Sequence, residues 1–68
     1  MMLNGNNDEY IVLFGNDRFN PDLHHRACKH RFSHIADARN YAYYYLNAYI
    51  FKLHWKKRSD YPIISMVK

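Results

Sequence analysis

With 68 residues and a formal net charge of +4, the chain has room for one domain and one thin core, and a chain this short buries only about 60% of the surface its unfolded form exposes. The single cysteine, Cys28, excludes an internal disulfide, so the covalent support of small secreted scaffolds is missing and a reducing compartment is the expected setting. The core must come from rings instead, seven Tyr, four Phe and one Trp, which supply a large buried area per residue.

In chain order, Met1-Met2-Leu3-Asn4-Gly5-Asn6-Asn7-Asp8 has neither a basic start nor an apolar run. It is read as a flexible tail over residues 1–8 and not as a signal peptide, with residues 1–68 forming a single domain. Glu9-Tyr10-Ile11-Val12-Leu13-Phe14 is a short β-branched and aromatic run closed by Gly15-Asn16-Asp17, the pattern of a strand and a turn. Both of its faces are apolar, which suits a strand covered on two sides, with the second cover supplied by this chain or by another. Residues 20–32 support two readings. Asn20-Pro21-Asp22 has the form of a helix start, while Leu23 to Phe32 contains too few apolar residues to bury a helical face, so an edge strand is slightly preferred.

A helix is expected over residues 33–49. Ser33 would cap it, and Ile35, Ala38, Ala42, Tyr45, Leu46 and Tyr49 recur at three- and four-residue steps as one apolar stripe. Tyr41, Tyr43, Tyr44 and Tyr45 cannot all turn inward from one helix. At 100° per residue, Tyr44 falls nearly opposite the stripe with Tyr41 and Tyr43 on its flanks. The period then changes to two: Phe51, Leu53 and Trp55 alternate with Lys52, His54 and Lys56. Lys57-Arg58-Ser59-Asp60 turns the chain into a last strand over 61–67, in which Pro62 belongs at an edge or a strand start. The sum is an α+β unit with one main helix on a small antiparallel sheet of three to four strands, in the order β(β)αββ. One helix covers one sheet face. The other, carrying Lys52, His54 and Lys56 beside Ile64 and Met66, would meet water, a second copy in a homodimer, or a target.

Charge is unevenly distributed. Residues 1–23 hold Asp8, Glu9, Asp17 and Asp22 against Arg18, whereas residues 24–58 hold Arg26, Lys29, Arg31, Arg39, Lys52, Lys56, Lys57 and Arg58 against Asp37. The basic part would steer toward an anionic partner, either nucleic acid or an acidic protein surface.

His24, His25, Cys28, His30 and His34 are residue types that zinc prefers. They come from one short segment without a C-x-x-C pair or a second distant ligand pair, so a solvated basic segment is expected and no metal or cofactor. Catalysis is not expected either: a thiolate at Cys28 would need an orienting third group and oxyanion donors, the two glycines form no phosphate loop, and the carboxylates are scattered. Lys52-Leu53-His54-Trp55-Lys56-Lys57-Arg58 interleaves cations with a ring, as nucleic-acid binders do, but Trp55 shares its strand face with Phe51 and Leu53.

The order strand, loop, Phe32-x4-Asp37-Ala38-x2-Tyr41-Ala42 helix, β-hairpin resembles that of very small phage and mobile-element accessory proteins, including anti-CRISPR and other host-takeover inhibitors. The likeness covers residues 9–67 as an architecture, and no functional residue is carried over by it. It implies occlusion of a larger host complex by surface contact. The expected protein is therefore a non-catalytic, cytoplasmic, protein-binding regulator or inhibitor, in the host cytoplasm if phage encoded. Its contact residues are Tyr41, Tyr43, Tyr44, Arg39, Lys52, His54, Lys56, Lys57 and Arg58, and a small nucleic-acid-binding protein is the alternative.

Overall fold

The structure, a computed structural model, describes residues 7–67. It is an α+β fold whose one antiparallel sheet has four strands, β1 (Asn7–Phe14), β2 (Arg31–Phe32), β3 (Ala48–Trp55) and β4 (Ile63–Met66). Their spatial order is β2-β1-β3-β4. A 3-10 turn (Gly15–Phe19), the one-turn helix α1 (Pro21–His24) and the helix α2 (Ile35–Ala42) complete it. No helix among the described residues is long and apolar enough to cross a membrane.

β1 and β3 form the centre, paired along their whole length from Asn7 opposite Trp55 to Phe14 opposite Ala48. The tail expected over residues 1–8 overlaps β1 at Asn7 and Asp8; residues 1–6 lie outside the described residues. Because side chains alternate across a strand, this register sorts the core into two layers. Ile11, Leu13, Phe51 and Leu53 face one way, with Cys28, Tyr49, Trp55 and Ile64 against them. Val12 and Ile50 face the other way, under Ala38 and Ala42 of α2. The alanines leave the helix backbone close to the sheet, while Tyr10, Phe14, Phe32 and Tyr41 fill the margins.

Three expectations are corrected here, and a fourth is realised in part. The helix ends at Ala42 and not near Tyr49. Tyr43-Tyr44-Tyr45 are indifferent helix formers, and Tyr49 and Ile50 gain more by pairing with Leu13 and Val12 in the central ladder than a helix could offer them. The apolar stripe therefore breaks: Leu46 is fully exposed and Tyr49 belongs to β3. Secondly, the N-cap residue of α2 is His34, with no side-chain cap hydrogen bond, where Ser33 was expected to cap. Thirdly, both readings of residues 20–32 are realised in part, as Pro21 starts α1 and the edge strand shrinks to Arg31 and Phe32. Fourthly, the helix covers the Val12 and Ile50 face, and the Phe51 and Leu53 face is covered by residues 15–30 of the same chain. Lys52 and His54 consequently share a face with α2, while Ile64 and Met66 lie on the opposite one.

Candidate interaction surface

Gly15 ends β1 with φ +57°, a left-handed conformation that would cost a side chain about 1–2 kcal/mol. Its N–H donates to the carbonyl of Asn47 at 2.9 Å, which ties the end of β1 to the turn entering β3. On the other side of that turn, the N–H of Tyr43 donates to the Arg39 carbonyl at 2.9 Å and that of Tyr45 to the Ala42 carbonyl at 3.1 Å. The segment between α2 and β3 is thus held at both ends, and its rings are presented from a fixed backbone.

Beneath the tip lies an aromatic base. Tyr41 stacks on His30 at 4.8 Å between centroids, and Phe14 meets His30, Tyr41 and Tyr45 edge-on at 5.8, 6.3 and 5.2 Å. Tyr41 is therefore half-buried and its phenol titrates above the usual range, first because of desolvation and then through the neighbouring Tyr45. Outside this base stand Tyr43 and Tyr44, each 81% exposed, with rings packed edge to face at 5.5 Å, together with Leu46. Sequence reasoning singled out Tyr44; the end of the helix at Ala42 makes Tyr43 its equal and adds Leu46. Arg39 is exposed one helical turn before Tyr43.

The other expected contact residues lie elsewhere. His54 and Lys52 face Asp8, the imidazole Nδ1 at 2.6 Å and the ammonium at 3.7 Å from its carboxylate. The hydrogen bond from His54 is the largest influence holding the Asp8 carboxyl below its usual range. Lys56, Lys57 and Arg58 occupy the turn between β3 and β4, closed by Ser59 N–H to the Lys56 carbonyl at 3.1 Å. Arg58 has φ +61°, the third-position geometry of a type II turn, where glycine is the usual residue. The tip precedes β3 and the basic turn follows it, so the strand's length separates them by roughly 23 Å.

The acidic residues near the start of the chain are not an acidic end in space. Glu9 takes Arg31 in a two-pronged pair, Nη2 to Oε1 at 2.7 Å and Nε to Oε2 at 3.0 Å, and accepts from the Trp55 indole at 3.3 Å. The Arg31 hydrogen bonds hold the Glu9 carboxyl below its usual range. Arg31 also donates to the His25 and Cys28 carbonyls, fastening residues 15–30 to the sheet. His25 beneath them is 0% exposed, edge-on to Trp55 and Tyr61 at 6.4 and 5.9 Å, and neither ring nitrogen has a hydrogen-bond partner among the described residues. Burial pushes its pKa down, and Arg26 and Arg31 push in the same direction. The sequence marked His25 only as one of a histidine group, and nothing local set it apart.

An open cleft of about 330 Å³ lies between β1 and residues 15–30, with Asp17, His24, Cys28, Lys29 and His30 around it. The Cys28 thiol donates to the Val12 carbonyl at 3.3 Å, and His24 sits 3.5 Å from Asp17. The histidines diverge: His25 points into the core, His30 onto Tyr41 and His24 to Asp17. Among the described residues no three His, Cys, Asp or Glu side chains converge on a point that could hold a metal. No family model, curated protein or solved structure matches the chain.

Proposed function

We propose that the chain is a non-catalytic protein-binding module, a regulator or inhibitor that occludes part of a larger host complex and is anchored by Tyr43, Tyr44 and Leu46. The observation that carries this reading is the tip itself: two tyrosines and a leucine held out by a hydrogen-bonded segment, on top of rings that already satisfy the core. Exposed aromatics on a rigid backbone supply contact area at little entropic cost, and such residues dominate measured interface energies. The architectural likeness to small phage and mobile-element proteins supports occlusion as the mode of action and a bacterial host cytoplasm as its place.

A nucleic-acid reading rests on a different observation, the gathering of Lys56, Lys57 and Arg58 in one turn with Arg26 over the Tyr61 ring at 5.3 Å. Against it stands the length of β3 between this turn and the tip, which prevents one short single strand from stacking on Tyr43 and Tyr44 while its adjacent phosphates meet the turn. Capture from a bacterial lysate with and without nuclease separates the two. A nuclease-resistant protein partner that is lost with Tyr44→Ala agrees with the tip reading. Recovery of nothing but nucleic acid, or a partner indifferent to Tyr44→Ala and Tyr43→Ala together, contradicts it.

A further inference from the structure

The two edges of the sheet are closed to different degrees. β2 is two residues long, and its Arg31 side chain is tied down by Glu9 and by the carbonyls of His25 and Cys28. β4 is four residues, Ile63-Ile64-Ser65-Met66, without a charged side chain, and no strand among the described residues pairs with its outer side. The N–H of Val67 donates to the Ile50 carbonyl at 2.8 Å, which sets the alternation: Ile63, Ser65 and Val67 turn their backbone groups toward β3, and Ile64 and Met66 turn theirs outward. Ile63 and Met66 are 51% and 54% exposed beside these groups. Natural edges of this kind usually carry a lysine, a bulge or an internal proline that prevents pairing; here Pro62 lies before the strand and leaves it unprotected.

We propose that the β4 edge accepts an extended segment of a protein partner as a fifth, antiparallel strand, and that this segment alternates apolar residues and carries acidic residues at its C-terminal flank. The charge requirement follows from direction. An antiparallel strand places its C-terminal flank at the start of β4, where the exposed cations Lys56, Lys57 and Arg58 lie and where Arg26 reaches the Asp60 carbonyl at 3.5 Å. Asp60 is the one acid of that turn. Backbone pairing supplies the affinity, and the flank fixes register and direction. A second copy is the poorer occupant: it brings a net charge of +4 against +4, and residues 61–67 offer no acid to the turn. The inference rests on the reading of the chain as a protein-binding module and names the kind of segment it takes.

The probe is a short peptide of alternating Val and Thr ending in a run of Glu, with a control carrying the same Glu run at its N-terminus. Amide hydrogen exchange and the anisotropy of labelled peptide are the readouts. The first peptide should slow exchange at Ile64 and Met66, and the control should bind about tenfold more weakly. Met66→Pro removes an outward N–H without touching the β3 ladder, which edge strands tolerate, and should also weaken binding about tenfold. Met66→Lys, a gatekeeper charge, serves if the proline variant does not fold. Tyr44→Ala should bind the peptide like wild type, so loss of the tip function and loss of the edge function are told apart. No slowing at millimolar peptide, equal binding of the two peptides, or slowing produced by rising protein concentration alone would overturn the proposal, the last by assigning the edge to a second copy.

Discussion

Replacing His25 by Leu should make the protein more stable at neutral pH and should abolish a loss of stability that begins below pH 6.5. The ring is 0% exposed and both of its nitrogens lack partners among the described residues, a situation that costs roughly 1–3 kcal/mol for each orphaned group. Leucine has a similar volume and no polar group to satisfy. The variant forfeits two edge contacts, with Trp55 and Tyr61, worth about 0.5–1.5 kcal/mol each, but removes two orphaned groups, so the expected net gain is about 1 kcal/mol, or about 4–8 °C in Tm for a domain of this size. The pH dependence has a definite sign. The folded pKa of His25 lies below its ordinary value of 6.5 because burial, Arg26 and Arg31 disfavour the imidazolium, with Asp22 and Glu9 opposing. As pH falls through 6.5 the unfolded chain takes up the proton first, and wild type loses up to about 1.4 kcal/mol per pH unit on this account. The other histidines are common to both proteins and cancel in the difference. Urea melts at half-unit steps from pH 7.5 to 5 measure it. Parallel curves for wild type and His25→Leu, or a variant less stable at pH 7.5, would refute the reasoning.

Three further perturbations test other parts of the account. Glu9→Gln should destabilise by about 1–2 kcal/mol, because it leaves the half-buried Arg31 without its charged partner and loosens residues 15–30; thermal melts read it. The Glu9 pKa is depressed from 4.5, so in wild type its contribution is complete above pH 4.5 and is lost as pH falls below that value. Arg58→Gly should stabilise by about 1 kcal/mol by relieving the φ of +61°, seen as a raised urea midpoint. Chelation by EDTA should leave Tm unchanged, because His24, His25 and His30 point to different places.

The strands were legible wherever the local pattern and the final environment agree. The doubly apolar run of 10–14 announced a strand covered on both sides, and the alternation at 51–56 announced the hairpin with the last strand. The end of α2 was hidden because Tyr45, Leu46 and Tyr49 continue a helical period by coincidence, while the competing term, the ladder from Leu13 to Tyr49 and Val12 to Ile50, is non-local. The assignment of faces failed for a related reason: residues 15–30 read as polar, yet they cover the Phe51 and Leu53 face through His25, Cys28 and the Arg31 pair to Glu9. A hint was present in α2, where Ala38 and Ala42 leave room for large residues such as Val12 and Ile50 beneath the helix and too little bulk for a single-layer core. Of the expected contact residues, Tyr43 and Tyr44 lie together at one end of β3, Lys56, Lys57 and Arg58 at the other, and Lys52 and His54 face Asp8 between them.

The affinity of wild type and Tyr44→Ala for the nuclease-resistant partner, measured at about 50 and 200 mM salt, tests the central claim most directly. Tyr44→Ala should weaken binding by about 2 kcal/mol, the scale of an interface anchor, with the fold intact by circular dichroism and only a modest change with salt. Binding that survives Tyr44→Ala, collapses between the two salt concentrations and disappears when Lys56, Lys57 and Arg58 are replaced together would contradict it and assign the affinity to the basic turn.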